Sequence, residues 1–237
     1  MKIVNRKIGE KYSVFVIAEA GINHNGSFLI AKKLVNMAKK AGADCIKFQT
    51  HIVEKEMTKT KILPGKISKT PLWDIIKNCE LTANEEEKLS KYCKKKKILF
   101  LSTPFSISAI DRLEKIKMPA YKIGSGELTN IPFLKHIAKK KKPVILSTGM
   151  SNMEEIKFAV ELFKKSKTPL AILQTTSEYP CDYKDINLGV ISKYKKNFKI
   201  PIGISDHSLG IYTALGAVAL GACIVEKHIT LDKKMPG

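Results

Sequence analysis

The sequence predicts an α/β protein and, within that class, a (β/α)8 barrel, or TIM barrel, truncated after its eighth strand. Eight short apolar runs alternate with segments whose apolar residues recur at helical spacing. The runs show no alternation of polar and apolar residues, which is typical of parallel strands buried on both faces. Polar residues follow the runs, and the carboxyl ends of the strands are where a barrel carries its active site.

The predicted strands cover residues 13–20, 44–49, 98–103, 120–124, 143–148, 170–175, 201–205 and 222–226. Helical patterns cover 28–41, 84–96, 108–116, 132–140, 153–165 and 188–197, and the Ala/Gly/Leu-rich segment between the last two strands predicts one more helix. Two capping boxes, Thr82 with Glu85 and Ser151 with Glu154, are predicted to begin helices. The long segment 50–81 has the length of a functional or lid-like loop.

A doubly wound open sheet is the structural alternative, but no glycine-rich dinucleotide loop follows the first strand. Only a short tail ending in LDKKMPG follows the last strand, where a barrel normally has its eighth helix. We therefore interpret residues 1–237 as one TIM-barrel domain that is cut short.

Composition narrows the function classes. The five cysteines form no CxxC pair and are odd in number, which argues against a disulfide framework or a zinc ribbon. No stretch resembles a membrane span or a signal peptide, so we expect no membrane partner and a cytoplasmic location.

The net charge of +20 raises the question of whether the chain binds nucleic acid. Arg6 and Arg112 are the only arginines, and the lysines concentrate at predicted helix ends, at 94–97, 139–142, 164–167 and 193–196. Cations there complement the helix dipole. Base and phosphate recognition favours arginine, so we expect no nucleic-acid partner.

Candidate site residues follow the strands. His207 and His228 each follow an apolar run, and neighbouring parallel strands would place them side by side, as a two-histidine metal site requires. Lys47 and Lys122 lie inside strands, where a charge is costly unless paired. Clustered lysines and hydroxyls suit a small, multiply charged anion. Glu19 or Glu127 could act as acid or base.

Structural roles remain open for each of these residues. Either histidine could be a hydrogen-bonded structural residue, Lys47 could be a buried salt-bridge partner, and Ser102 or Ser147 could cap the next helix. A Schiff-base aldolase using Lys47 or Lys122 is an alternative that borohydride trapping would reveal. His51 and His136 lie outside the pattern, and we expect both to face solvent.

The strand ends carry, in order, AEAGINHNG, IKFQT, STPF, YKIGSGELTN, PVILSTGM, TSEYP, GISDHSLG and EKHITLD. This series closely resembles the N-acetylneuraminate (sialic acid) synthase family, including the legionaminic and pseudaminic acid synthases. The resemblance extends over about residues 16–237. It implies a (β/α)8 barrel that condenses phosphoenolpyruvate with an open-chain N-acylated mannosamine-type sugar, giving a nine-carbon 2-keto acid and releasing phosphate by C–O cleavage.

The resemblance also implies roles for individual residues. His207 and His228 match the ligands of a divalent metal, typically Mn²⁺, and Glu19 matches the proposed acid/base. Glu127 and Tyr179 match residues near the sugar. The phosphoenolpyruvate ligands are matched by Lys47, Thr103, Lys122, Ser125, Ser147, Ser177 and Ser205.

The family usually carries an antifreeze-like C-terminal domain that reaches into the partner subunit of a homodimer. We find no match to that domain in 1–237 and expect weak sugar binding by this chain alone. The rival within the same chemistry is a 3-deoxy-octulosonate phosphate synthase-like barrel. A basic nucleic-acid-binding protein is the rival from another class, which salt-sensitive DNA retention without phosphoenolpyruvate binding would favour.

Overall fold

The computed structural model describes residues 1–64 and 68–235 of the chain. A short antiparallel hairpin, β1 (Lys2–Ile3) and β2 (Arg6–Lys7), precedes the main sheet. The main sheet has eight strands: β3 (Phe15–Gly21), β4 (Cys45–Thr50), β5 (Leu99–Pro104), β6 (Tyr121–Ile123), β7 (Val144–Ser147), β8 (Leu170–Thr175), β9 (Ile202–Asp206) and β10 (Ile224–His228). Each lies within two residues of its predicted bounds.

All ladders in this sheet are parallel, in the order β5-β4-β3-β10-β9-β8-β7-β6. The two edge strands, β5 and β6, also lie next to each other, so the sheet nearly closes into a barrel. The predicted fold class is therefore confirmed, and the open-sheet alternative is wrong.

Helices alternate with the strands. They are α1 (Phe28–Lys40), α2 (Val53–Glu56), α3 (Leu72–Asn78), α4 (Ala83–Lys95), α5 (Ile107–Lys115), α6 (Ile131–Lys139), α7 (Met153–Lys165), α8 (Gly189–Asn197) and α9 (Tyr212–Ala219). The predicted long loop contains α2 and α3, and its residues 65–67 lie outside the described part. Lysines occupy the last turns of α4, α6, α7 and α8, as predicted.

One of the two predicted capping boxes is confirmed and the other is wrong. Thr82 accepts from the Glu85 amide, and the Glu85 carboxylate accepts from the Thr82 amide. At α7 the cap is not Ser151 but Asn152, which forms the box with Glu155. Serine and asparagine both cap helices well, so the sequence pattern fits either register.

The interior of the barrel is tightly packed where β8, β9 and β10 meet. A Cβ at Gly203 would lie 2.5 Å from the Ile224 carbonyl oxygen and 2.7 Å from Leu173 Cδ2, so only glycine fits there. All five cysteines are buried and free, in agreement with the sequence analysis. Across the described residues, every helix is too short or too polar to cross a membrane.

A buried acidic group links the helical layer to the barrel. Glu86 of α4 lies 3.6 Å from the Arg112 guanidinium of α5, and Thr50 also hydrogen-bonds to it. Burial raises the pKa of Glu86 from 4.5 to about 7 in spite of both contacts. The folded state therefore favours the protonated acid.

This predicts a pH-dependent effect of Glu86→Gln. Between pH 4.5 and 7 the folded protein keeps a proton that the unfolded chain has released, so wild-type stability falls as pH rises. The variant cannot ionise. Its free energy of unfolding relative to wild type should rise across this window by up to about 3 kcal/mol. Urea unfolding at several pH values measures this, with exposed Glu87→Gln on the same helix as control. Parallel profiles for Glu86→Gln and wild type would contradict the assignment.

Candidate active site

Strand register gathers the polar side chains at the carboxyl end of the barrel. Glu19 of β3 pairs with Lys47 of β4 on one side and with His228 of β10 on the other. Glu226, two residues before His228, pairs with Ser205 of β9. Because residues two apart in a strand share a face, these side chains all point into the barrel.

Two lysines and two glutamates form a buried charge cluster there. Lys47 Nζ lies 2.5 Å from Glu19 Oε2 and 3.7 Å from Glu226 Oε2. Lys122 Nζ, from β6 across the barrel, lies 3.5 Å from Glu226 Oε1. None of the four residues is more than 4% exposed. Glu226 is therefore the shared counter-charge of both lysines.

The pKa values of the four charged groups in the cluster shift in different directions. Burial alone would raise the pKa of Glu226, but Lys122 and Lys47 outweigh it and lower the pKa to about 2. Burial raises the pKa of Glu19 to about 7, although Lys47 opposes this. Burial lowers the pKa of Lys122, and Glu226 restores it only in part. Burial would also lower the pKa of Lys47, but Glu19 and Glu226 raise it.

Hydroxyl groups surround the lysines. Lys47 donates to Thr103 at 3.0 Å and Lys122 donates to Ser147 at 2.7 Å. Ser205 donates to Glu226 at 2.9 Å. Neither Ser147 nor Ser102 caps a helix, so that structural alternative is wrong. Ammonium and hydroxyl groups gathered at one end of the barrel suit a small anion with several charges.

A second group of donors lies around Gly149. Its amide donates to Ser125 Oγ at 3.1 Å, and a Cβ at this position would lie 2.8 Å from Ser125 Oγ and 2.4 Å from Ser177 Oγ. Only glycine fits here, because a methyl group would clash with both hydroxyls. The geometry suits the oxygens of a phosphate or carboxylate.

His207 and His228 lie together at the mouth, with ring centroids 5.7 Å apart. His207 Nδ1 donates to the Thr176 carbonyl at 2.7 Å, which leaves Nε2 unprotonated and directed away from it. Burial lowers the pKa of His207, and burial followed by the charge of His207 lowers that of His228 to about 4. Neutral imidazole is the form that binds a metal.

These features fit a divalent metal held by two histidines. A hydrogen bond such as that from His207 Nδ1 to the Thr176 carbonyl is the kind that orients a metal-binding imidazole. In the described part of the chain no group of three His, Cys, Asp or Glu residues has metal-site geometry. The remaining coordination positions would therefore belong to water or substrate oxygens.

The other predicted residues lie at the rim. The Tyr179 ring stacks on His207 with centroids 4.0 Å apart and meets His228 edge-on at 5.7 Å. Glu127 is half-buried, and its carboxylate accepts from Asn130 at 2.7 Å. Ser177 is exposed beside Gly149. The structure thus brings the predicted set to one end of the barrel.

One sequence expectation needs correction. His51 does not face solvent: it is 4% exposed and hydrogen-bonded to Glu56 and Gln49. His136 is partly exposed on α6, 2.9 Å from the exposed Asp111. Two residues without an assigned role also belong to the site, namely Glu226 and Gln49. Both are polar residues at strand ends; the lysine partners of Glu226 come from other strands, and Gln49 contacts the buried His51.

Comparison with known proteins agrees with this geometry. A model of the NeuB family matches residues 34–237. The N,N'-diacetyllegionaminic acid synthase of Campylobacter jejuni is 42% identical over 94% of this chain and 69% of its own length. Human N-acetylneuraminate-9-phosphate synthase is 37% identical over 98% of this chain and 66% of its own.

A solved structure is similarly close. The N-acetylneuraminic acid synthetase of Leptospira borgpetersenii, in complex with citrate, has a TM-score of 0.94 and 38% identity over 100% of this chain and 80% of that one. Truncated 3-deoxy-D-arabino-heptulosonate 7-phosphate synthase from Thermotoga maritima shares the fold alone, with a TM-score of 0.74 at 16% identity.

Fold and site together define a barrel of the sialic-acid-synthase type. The chain belongs to the NeuB family, and it spans about two thirds of the length of the curated relatives described above.

The close packing of the Ser125 and Ser177 hydroxyls against Gly149 allows a test of anion binding. Gly149→Ala would place a methyl group between the Ser125 and Ser177 hydroxyls, so affinity for inorganic phosphate or phosphoenolpyruvate should fall at least about tenfold. Calorimetric titration measures the loss. Gly189→Ala is the control, since a Cβ there meets nothing within 4 Å. Equal affinities in both variants would remove Gly149 from the anion site.

Proposed function

We propose that this chain carries the catalytic barrel of an enzyme that condenses phosphoenolpyruvate with an N-acylated mannosamine-type sugar. The products are a nine-carbon, sialic-acid-type 2-keto acid and phosphate. The observation that carries the proposal is the pair of buried lysines, Lys47 and Lys122, that share one carboxylate beside two histidines. Relatives named as synthases of such acids support it.

The lysine end of the site suits phosphoenolpyruvate. Its phosphate and carboxylate together bring more negative charge than Glu226 alone supplies to the lysines. Lys47 and Lys122 can shift their contacts to the substrate. The hydroxyls of Thr103 and Ser147, which accept from these lysines, and of Ser205, which donates to Glu226, can then donate to it. The hydroxyls of Ser125 and Ser177, on either side of Gly149, would donate to phosphate oxygens. These donors are preorganised in a water-poor interior, where electrostatic stabilisation is largest.

The histidine end suits the sugar aldehyde. We propose Mn²⁺ as the cofactor, with His207 and His228 as its protein ligands; such an ion supplies Lewis-acid polarisation of a carbonyl oxygen and activation of water. Tyr179 covers the His207 ring and is 55% exposed, so it can contact a substrate entering from the mouth. Half-buried Glu127 lies near the same rim.

Glu19 has the environment of an acid/base residue. Its carboxylate is 2% exposed, and its pKa of about 7 lets it both accept and release a proton near neutral pH. In the condensation, C3 of phosphoenolpyruvate forms a bond to the aldehyde carbon, water adds at C2, and the C2–O bond to phosphate breaks. Glu19 is the residue we assign to proton movement during these steps.

The rival 3-deoxy-octulosonate phosphate synthase-like reaction uses the same anion chemistry with a different sugar. No observation on the site favours it, and the relatives of 37–42% identity are named for nine-carbon acids. Homodimerisation of a longer form remains a prediction. The particular N-acyl sugar, mannosamine-derived or a 2,4-diacetamido-6-deoxy sugar, is decided by experiment.

The test is mass-spectrometric product analysis with phosphoenolpyruvate, Mn²⁺ and a panel of N-acyl sugars. We expect a nine-carbon 2-keto acid and phosphate from one sugar. His207→Ala and His228→Ala should each lower turnover at least about 100-fold, while His136→Ala, on the helical layer, should retain it. A borohydride-trapped adduct on Lys47 or Lys122 would instead favour a Schiff-base aldolase. Unchanged rates in both histidine variants would reject the metal assignment.

A further inference from the structure

His51 is a buried histidine that neither the anion site nor the histidine pair uses. It follows β4 directly, and its ring stacks on Phe105, with centroids 4.4 Å apart and planes inclined by 17°. The side chains of His51 and Glu56 are only 3% and 5% exposed. A polar pair withdrawn from water to this extent must have its hydrogen bonds satisfied within the protein.

The partners of His51 define its protonation. Nδ1 lies 2.9 Å from both carboxylate oxygens of Glu56, and Nε2 lies 3.1 Å from Oε1 of Gln49. A carboxylate and an amide oxygen only accept hydrogen bonds, so both ring nitrogens must donate. In this arrangement His51 donates to the Glu56 carboxylate and holds the oxygen of the Gln49 amide.

Gln49 in turn borders the active site. A Cβ at Gly21 would lie 3.9 Å from Gln49 Cδ, 3.3 Å from Glu19 Oε1 and 3.7 Å from His228 Cε1, so these three groups meet at one point. Gln49 lies two residues beyond Lys47 on the same strand and face, closer to the mouth. With its oxygen held by His51, the amide offers its NH₂ group to a ligand.

We propose that His51 and Glu56 are positioning residues that fix the Gln49 amide with its NH₂ group as a hydrogen-bond donor to the second substrate. The ligand class is an oxygen acceptor, a hydroxyl or carbonyl of the sugar, beside Glu19 and His228. This inference rests on the proposed function. A neutral His51 with an unprotonated Nε2 would require the amide to turn, and the site would then present an acceptor in place of a donor.

The groups around His51 are a second histidine, one carboxylate and one aromatic ring. The nearby His24 is fully buried, and burial followed by the charge of His51 lowers its pKa to about 4. His24 is thus neutral near pH 7, and its Nδ1 accepts from the Gly26 amide at 3.2 Å. Glu56 is the carboxylate in contact with the His51 ring, and the Phe105 ring covers one face.

The first test is independent of turnover. Nitrogen-15 NMR of the histidine rings in the whole chain should show protons on both His51 ring nitrogens at pH 7. The His51 signals are assigned by their loss in His51→Phe or through the backbone of His51. His24, which is neutral near pH 7, should show a proton on only one ring nitrogen. A single ring proton on His51 would overturn the proposal whether or not the chain turns over substrate.

The second test separates positioning from a structural role. His51→Phe/Glu56→Leu removes both hydrogen-bonding groups and keeps an aromatic ring against Phe105. We expect KM for the active sugar, N-acetylmannosamine or the 2,4-diacetamido-6-deoxy sugar, to rise about tenfold. KM for phosphoenolpyruvate should stay within about twofold. Gln49→Glu, which replaces the NH₂ group by oxygen, should show the same selective loss.

Glu54→Gln is the matched control, because Glu54 lies on the same helix, α2, but is exposed and paired with Lys77. It should leave both KM values unchanged. Equal rises in both KM values, or an unchanged KM for the sugar in the double variant, would overturn the proposal. Absence of turnover by wild type with every sugar would reject the proposed function, whereas the ring protonation would still decide the state of His51.

Discussion

The neutralisation of two buried ammonium groups is the constraint on which the rest of the site depends. Lys47 and Lys122 come from strands that are not neighbours, and both project into the barrel, where an unpaired charge would cost several kcal/mol. Glu226 lies between them and contacts both. The free site is therefore stable because it carries its own counter-charge, which an anionic substrate can replace.

The fold supplies this arrangement through register. Ser205 of β9 and His207, which follows β9 directly, are two residues apart, as are Glu226 and His228 of β10. Each strand therefore brings one group to the lysine end and one to the histidine end. The intervening Asp206 and Lys227 pair with each other at 2.6 Å, on the opposite face of the two strands. The alternation of faces along a strand thus separates the candidate site residues from this structural ion pair.

Much of this could be predicted from the sequence because it is local. The strands and helices follow from periodicity, and His207 and His228 follow from their positions at the ends of consecutive strands. The importance of Glu226 could not be predicted, since its partner Lys122 reaches it from across the barrel. His51 was misjudged because its burial depends on Phe105 and Glu56, which come from a later strand end and from a helix inside the long loop.

The central claim is that the lysine–glutamate cluster exists to bind an anion and not to stabilise the fold. Lys122→Met/Glu226→Met removes a buried charge pair and leaves apolar side chains of similar size, a replacement that is often neutral or stabilising in other proteins. Calorimetric binding of phosphoenolpyruvate, measured beside thermal unfolding, tests the claim directly. The account predicts a melting temperature equal to or above that of wild type and an affinity at least about 100-fold weaker. A variant that melts well below wild type but binds phosphoenolpyruvate with undiminished affinity would contradict it.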